Sequence, residues 1–313
     1  MKNQAIQESN FNFKGQTAFH KGKVRDIYEF GDEHIMFIVS DRISAFDIVL
    51  PRPIPYKGEI LNLIAAKALK QTEDIVPNWL ISVPDPAVSF GKKCQPFAVE
   101  MVIRGYLVGH AWREYKSGKK SICGIPFIQG MVENQKFDKP IITPTTKAME
   151  GHDLDLSREE ILEQGLVSEK HYNLLEEYTC KLFERGSREA ADRGLILVDT
   201  KYEFGLLGDE IILIDEVHTP DSSRYFYADS YEYNVKNGLR QKQLSKEFVR
   251  EWLMEKDFQG REGDVLPEIS DEVVEMIMNR YVELYENVTG EKFHFSDRTD
   301  LFARIERNVN KIL

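Results

Sequence analysis

The sequence predicts an α+β fold, and three observations predict it. The first third is rich in β-forming runs broken by turn residues. A long amphipathic helix stands in the middle, directly before a charged hairpin. The last third carries apolar residues at helical spacing.

Val24–Phe30 and His34–Ser40 read as two strands joined by the turn Gly31-Asp32-Glu33. An apolar helix follows from Glu59 to about Gln71, then a strand over Phe97–Tyr106. Residues 116–155 are polar and punctuated by Pro and Gly, which predicts loops and short strands. Ser157-Arg-Glu-Glu160 is a capping box that starts a helix. In the helix after it, Tyr172, Leu175, Leu182 and Phe183 share one face. Leu195–Phe204 and Ile211–Val217 then form a hairpin about Gly208-Asp209. In the last third, Leu244, Phe248 and Trp252 recur every four residues, and Val273, Ile277, Tyr281 and Leu284 nearly so. These read as amphipathic helices packed on a core.

Composition narrows the function. A formal net charge of −11 argues against a broad nucleic-acid or anionic-membrane surface. No apolar run approaches the roughly 20 residues that span a bilayer, and the first fifteen residues lack an apolar signal core. The three cysteines, Cys94, Cys123 and Cys180, form no CxxC pair, which fits a reducing cytoplasm.

Six blocks carry candidate chemistry. In His20–Tyr28, Gly22 stands among Lys21, Lys23 and Arg25, whose alternation puts them on one face of an extended chain. Such a block suits phosphate oxygens; a solvated basic strand is the other reading. Ser40–Asp47 clusters Ser44, Asp47 and an arginine after a strand, fitting either a polar-substrate loop or plain turn chemistry. Arg104 leaves an apolar strand and needs an anion, either a structural carboxylate or a ligand phosphate, and His110 follows close behind. Arg224 stands in His218–Phe226 as a second anion clamp or a surface residue packed on aromatics. The polar loop around Lys147, with His152 and Asp153, reaches nucleotide phosphates or a metal, or only makes a turn.

The strongest block is Asp199-Thr-Lys-Tyr-Glu203 with Asp215-Glu216. Strand alternation puts Asp199, Lys201 and Glu203 on one face. With a three-residue loop Glu203 stands opposite Asp215, about 5 Å apart at Cβ, and the pair suits Mg²⁺. With a two-residue loop the two acids face opposite sides. Lys201 is the alternative cation.

Taken in order, GKVRDIY, SDRISAFD, VEMVIRGYLVGHAW, TPTTKA, LVDTKYEFG and IDEVHTPDSSRYF resemble the SAICAR synthetase family over residues 22–226. The helical end is similar to the extension of the longer, yeast-like members. The resemblance implies an ATP-dependent ligase of purine biosynthesis. Such an enzyme joins L-aspartate to the carboxylate of carboxyaminoimidazole ribonucleotide (CAIR), giving SAICAR, ADP and phosphate through an acyl phosphate. It implies an antiparallel N-terminal β lobe like a kinase small lobe, a larger α+β domain, and ATP in the cleft between them. The corresponding division is 1–115, a nucleotide-binding lobe; 116–226, a catalytic domain with the metal hairpin; and 227–313, helices packed on the catalytic domain.

By the same resemblance Gly22, Lys23, Arg25, Lys147 and Glu203 face ATP, and Glu203 and Asp215 hold Mg²⁺. Lys201, Asp199 and Asp153 are catalytic. Ser44, Asp47, Arg104, His110 and Arg224 bind CAIR, the last three at its 5′-phosphate. Many relatives have Ser where this chain has His110. The expected partners are the small-molecule substrates alone, without nucleic acid or membrane, for a cytoplasmic monomer. A small-molecule kinase of the inositol-polyphosphate-kinase type is the competing reading, since it also uses a D-x-K pair. The Glu203-Phe-Gly continuation and the DSSR block discriminate against it. A non-catalytic nucleotide-binding protein is a third reading; it predicts ATP binding without turnover.

Overall fold

The computed structural model describes residues 4–46, 48–147 and 154–313. The chain forms two compact units, one of residues 1–68, 79–93 and 245–313, the other of residues 69–78 and 94–244.

The first unit opens with β1 (Ala18–Lys21), β2 (Arg25–Phe30) and β3 (His34–Val39). β4 (Ser44–Ala45), β5 (Ile48–Val49), α1 (Lys57–Gln71), β6 (Leu80–Asp85) and β7 (Val88–Lys92) follow. The five longer strands make an antiparallel sheet in the order β1-β2-β3-β7-β6. Tyr28, Met36, Ile38 and Val88 are fully buried in its core. The β2–β3 turn falls where the sequence puts it, with Gly31 at φ +64°.

The second unit begins with β8 (Gln95–Tyr106), α2 (Gly109–Lys116), β9 (Ser121–Ile122), β10 (Ile125–Pro126), β11 (Lys136–Ile142) and β12 (Thr145–Thr146). α3 (Arg158–Glu163), α4 (Glu169–Ala191), β13 (Leu195–Leu207), β14 (Glu210–Ile214), β15 (Ser223–Tyr227), α5 (Ala228–Lys236) and β16 (Gln243–Leu244) complete it. Its sheet runs β11-β8-β13-β15-β16, with β12 on β8 and β14 on β13. The predicted capping box is present: Ser157 accepts from the Glu160 amide, and Glu160 accepts from Ser157 in return. α4 buries Tyr172, Leu175, Leu182 and Phe183. Phe183 lies so close to Gly105 that a Cβ there would come within 3.2 Å of its ring, which seats the helix on β8.

The chain then adds α6 (Glu247–Met254), α7 (Asp271–Thr289) and α8 (Leu301–Val309) to the first unit. Leu301, Ile305 and Val309, spaced by four, enter the core around Tyr28 and Met36. Arg298 donates to Asp41 at 2.6 Å, and Arg304 to Asp85 at 2.9 Å. Two expectations change here. Leu244 is in a strand, and α6 buries Val249 and Leu253 rather than Phe248 and Trp252. The units also divide the chain at points other than 1–115, 116–226 and 227–313: β8 belongs with β13, and the C-terminal helices complete the N-terminal sheet's core. Among the described residues no helix is long and apolar enough to cross a membrane.

Candidate active site

β13 is the spine of the site in the second unit. It pairs with β8 and β15 so that Asp199 stands opposite Arg104 on one side and Arg224 on the other. A carboxylate thus sits between two guanidinium groups in one row across three strands. Arg104 Nη1 donates to Asp199 Oδ2 at 3.1 Å, and its Nε donates to Thr143 Oγ1 at 2.9 Å. Arg224 Nη1 lies 3.9 Å from the same carboxylate oxygen. Burial lowers the Arg104 pKa and Asp199 partly restores it, yet an arginine stays charged there.

Beside this row, α2 begins at Gly109, whose φ is +54°. A Cβ on Gly109 would lie 2.7 Å from Arg224 Nη1 and 2.8 Å from Nη2, so only glycine lets the guanidinium cover the helix entrance. His110 follows, its Nε2 2.6 Å from Asp155 Oδ2. Two guanidinium groups beside a helix start are the kind of setting that suits an anion. Arg104 and His110 from one sequence block and Arg224 from another therefore gather at one end of the second unit's sheet.

Four residues along β13, roughly 13 Å away, lies the second pole. Asp199, Lys201 and Glu203 do share a face, and opposite them run Arg104, Val102 and Glu100 of β8. Glu203 is the direct partner of Glu100. Lys201 Nζ bridges the two acids, donating to Glu100 Oε1 at 2.7 Å and also to Glu203 Oε1. Lys147 donates to the other oxygen of Glu203. Burial pushes the Glu203 carboxyl up, but the two lysines overcome it and hold the group ionised. Burial likewise opposes the charge on Lys201, and Glu203 and Glu100 raise it instead.

One expectation about this pole is corrected. The β13–β14 hairpin closes through two residues, Gly208 and Asp209, so Glu203 pairs with Ile214 rather than Asp215. Gly208 takes φ +60°, which suits the glycine-headed turn of a two-residue hairpin. Asp215 stands one residue past β14 with φ +63°, where the pleat no longer sets its side-chain direction. The acid opposite Glu203 is Glu100. Sequence reasoning passed over Glu100 because a strand's partner across a long connection is invisible in a local pattern. A charged residue inside the apolar run Val99–Ile103 was the available signal.

Glu203 is an ionised oxygen donor of the kind Mg²⁺ takes, with both of its oxygens engaged here by Lys201 and Lys147, and Asp215 follows the residue that pairs with it. A second group, His110, Glu114 and Asp155, has ligand-type atoms within 4.8 Å of one another. Its members are engaged within the protein, His110 with Asp155 and Glu114 with Lys119.

The frame behind the site is buried and hydrogen-bonded. His218, fully buried and left-handed at φ +57°, meets Tyr202 Oη through Nε2 at 2.6 Å, and its carbonyl accepts from Tyr225 Oη. Burial lowers its pKa to about 4, so it stays neutral at pH 7. Gly186 of α4 leaves room for its ring.

In the first unit, the glycine loop turns between β1 and β2. Gly22 N donates to Arg25 O, so Lys21, Lys23 and Arg25 flank a hairpin turn rather than sharing one face of a continuous strand. The loop carbonyls point inward. Arg42 donates to Gly22 O at 2.9 Å and Lys23 O at 3.0 Å, and Ser40 Oγ donates to Val24 O at 2.8 Å. Arg42 also pairs with buried Asp26 at 2.7 Å. Ser40 and Arg42 of the Ser40–Asp47 block thus brace this loop. Ser44 lies in β4, paired with Val49. Asp47 and Asp153, with His152, lie outside the described residues.

The family model described as SAICAR synthetase matches residues 18–264. A phosphoribosylaminoimidazole-succinocarboxamide synthase of Cytophaga hutchinsonii is 59% identical over 309 residues, 99% of each chain. One of Bacteroides fragilis is 57% identical over 310 residues, again 99% of each. Among solved structures, a Saccharomyces cerevisiae SAICAR synthase complexed with SAICAR superposes with a TM-score of 0.78 at 32% identity, over 92% of this chain and 99% of that one.

Proposed function

We infer the function from one premise: the chain belongs to the SAICAR synthetase family. It is an ATP-dependent carbon–nitrogen ligase of purine biosynthesis, joining L-aspartate to the carboxylate of CAIR to give SAICAR, ADP and phosphate. The observation that carries the reading into the site is the two-pole face of β13, with the Arg104–Asp199–Arg224 row at one end and the Glu100–Lys201–Glu203 cluster at the other. A ribonucleotide has a phosphate at one end and a reacting carboxylate at the other, and such a face suits both.

On this reading Arg104, Arg224 and His110 take the 5′-phosphate, Asp199 orients the ribonucleotide, and its carboxylate lies toward Lys201. Gly22, Lys23, Arg25 and Lys147 take the ATP phosphates; Ser44 and Asp47 line the substrate pocket. Glu203 and Asp215 would hold Mg²⁺, which, when bound, neutralises phosphate charge. Proximity along the β13–β14 hairpin supports that pair.

A carboxylate is a poor electrophile. Its oxygen attacks the γ-phosphorus of ATP, the bond to the β–γ bridging oxygen breaks, and ADP leaves. Charge spreads over the transferring oxygens, so fixed cations matter more than covalent help. Lys201 is held charged by two acids and does not relax at that moment. The neutral amine of aspartate then attacks the acyl carbon, phosphate departs with the C–O bonding pair, and the amine proton passes to a carboxylate, for which Asp199 and Asp153 are the candidates. Exclusion of water protects the acyl phosphate.

The chain acts as a cytoplasmic monomer; the free cysteines among its described residues support the compartment. The deciding assay follows ADP release with ATP, CAIR and L-aspartate, with and without Mg²⁺. Release that needs both substrates supports the ligase. Full release with CAIR alone overturns it in favour of a kinase.

A further inference from the structure

We propose that Asp155 is a positioning residue for the substrate's phosphate, fixing the imidazole of His110 in the first turn of α2 beside the Arg104–Asp199–Arg224 row. The inference rests on the assignment of that row to the ribonucleotide phosphate.

His110 Nε2 and Asp155 Oδ2 are 2.6 Å apart, a short charge-assisted contact. His110 directly follows Gly109, the residue that the Arg224 guanidinium covers at 2.7 Å from a notional Cβ. Asp155 is itself held in place: it forms an antiparallel bridge with Thr145, and the next amide, Leu156 N, donates to Pro144 O at 3.0 Å. The imidazole is thus tied to a fixed backbone rather than to a loose loop.

The chemistry gives the tie a direction. The hydrogen bond from His110 lowers the Asp155 pKa against the effect of burial, so its carboxyl is ionised at neutral pH. An ionised carboxylate only accepts, so Nε2 must carry a proton. Nδ1 is then the nitrogen that faces a bound anion, and it donates when it carries a proton. A carboxylate near an anion site would otherwise repel the ligand. Committed to His110, it orients a donor instead.

The test is a double-mutant cycle with Asp155→Asn and His110→Ala, read by steady-state kinetics. Asp155→Asn is expected to raise the CAIR KM about tenfold, with kcat within about twofold and the ATP KM unchanged. In the His110→Ala background the same substitution is expected to do almost nothing, because its target is gone. Multiplying effects, an unchanged KM in Asp155→Asn, or a fall in kcat alone would each overturn the proposal. Asp155→Ser is the second variant if the asparagine variant does not fold. Ribose 5-phosphate, which carries the phosphate without the reacting carboxylate, separates this inference from the ligase reading. Calorimetric binding that weakens about tenfold in Asp155→Asn supports the positioning role even if ligation fails; equal binding in both proteins overturns it even if ligation succeeds.

Discussion

Replacing Lys201 by methionine removes the ammonium between Glu100 and Glu203 while keeping a stem of similar length. The two acids are register partners on β8 and β13, so their Cβ atoms lie about 5 Å apart. Two charges at about 5 Å, with an effective dielectric constant of about 20, repel by about 3 kcal/mol. That is enough to move one carboxyl's titration from about pH 4.3 to between about 6 and 7. Lys147, with 42% of its side chain exposed, stays on Glu203, so Glu100 is the acid that takes the proton. The sign follows by linkage. In the wild type the depressed Glu203 contributes stability above about pH 4.3, and loses it only as pH falls through its folded value. In the variant the raised carboxyl contributes stability below about pH 4.3 and loses it as pH rises toward about 7. The stability gap between the two proteins should therefore widen from pH 5 to pH 7.5, by about 2 kcal/mol or about 3 °C in Tm. Thermal unfolding of both proteins across that range measures it, and subtraction removes every titration they share. A gap that stays constant or narrows with rising pH would refute the opposed-acid account. The variant's kcat should also fall at least about 100-fold.

Arg104→Ala should raise the CAIR KM at least about 30-fold, since it strands Asp199 as well as losing a donor; a change confined to the ATP KM would refute the phosphate assignment. Arg42→Ala should cost about 3–5 kcal/mol by breaking the buried pair with Asp26 and freeing the glycine-loop carbonyls. Arg42→Lys should not restore it, because a point ammonium cannot serve several acceptors at once; thermal melts of both variants decide. His218, with its pKa lowered by burial to about 4, should make the wild type lose stability as pH falls from about 6.5 toward 4. His218→Asn tolerates the left-handed backbone and should flatten that limb of the Tm profile; an unchanged limb would show that other groups cause it.

Much of this was legible where the physics is local. The alternation of Asp199, Lys201 and Glu203, the Ser157 capping box and the apolar face of α4 each depend on neighbours a few residues away, and each is in the structure as read. The hairpin register was not legible, because Glu210 can serve as the third loop residue or the first strand residue with equal ease; the structure uses it as strand. Nor was the pairing of β8 with β13, which brings together Glu100 and Glu203 from about a hundred positions apart. The alternating cations at Lys21, Lys23 and Arg25 misled for a related reason: alternation sets a face only while the strand continues, and the chain turns at Gly22. Phe248 and Trp252 have the right spacing, but Val249 and Leu253 one position along fill the core.

The closure of the N-terminal sheet's core by α8 bears on the order of events during synthesis. A ribosome delivers Tyr28 and Met36 nearly three hundred residues before Val309, so that core waits, partly uncovered, until α8 is made. The segment from residue 94 to 244 has its own sheet and helix and can compact first. Loss of residues 304–313 would therefore uncover β2 and β3 rather than trim a tail, and the nascent chain has reason to rely on a chaperone until α8 emerges.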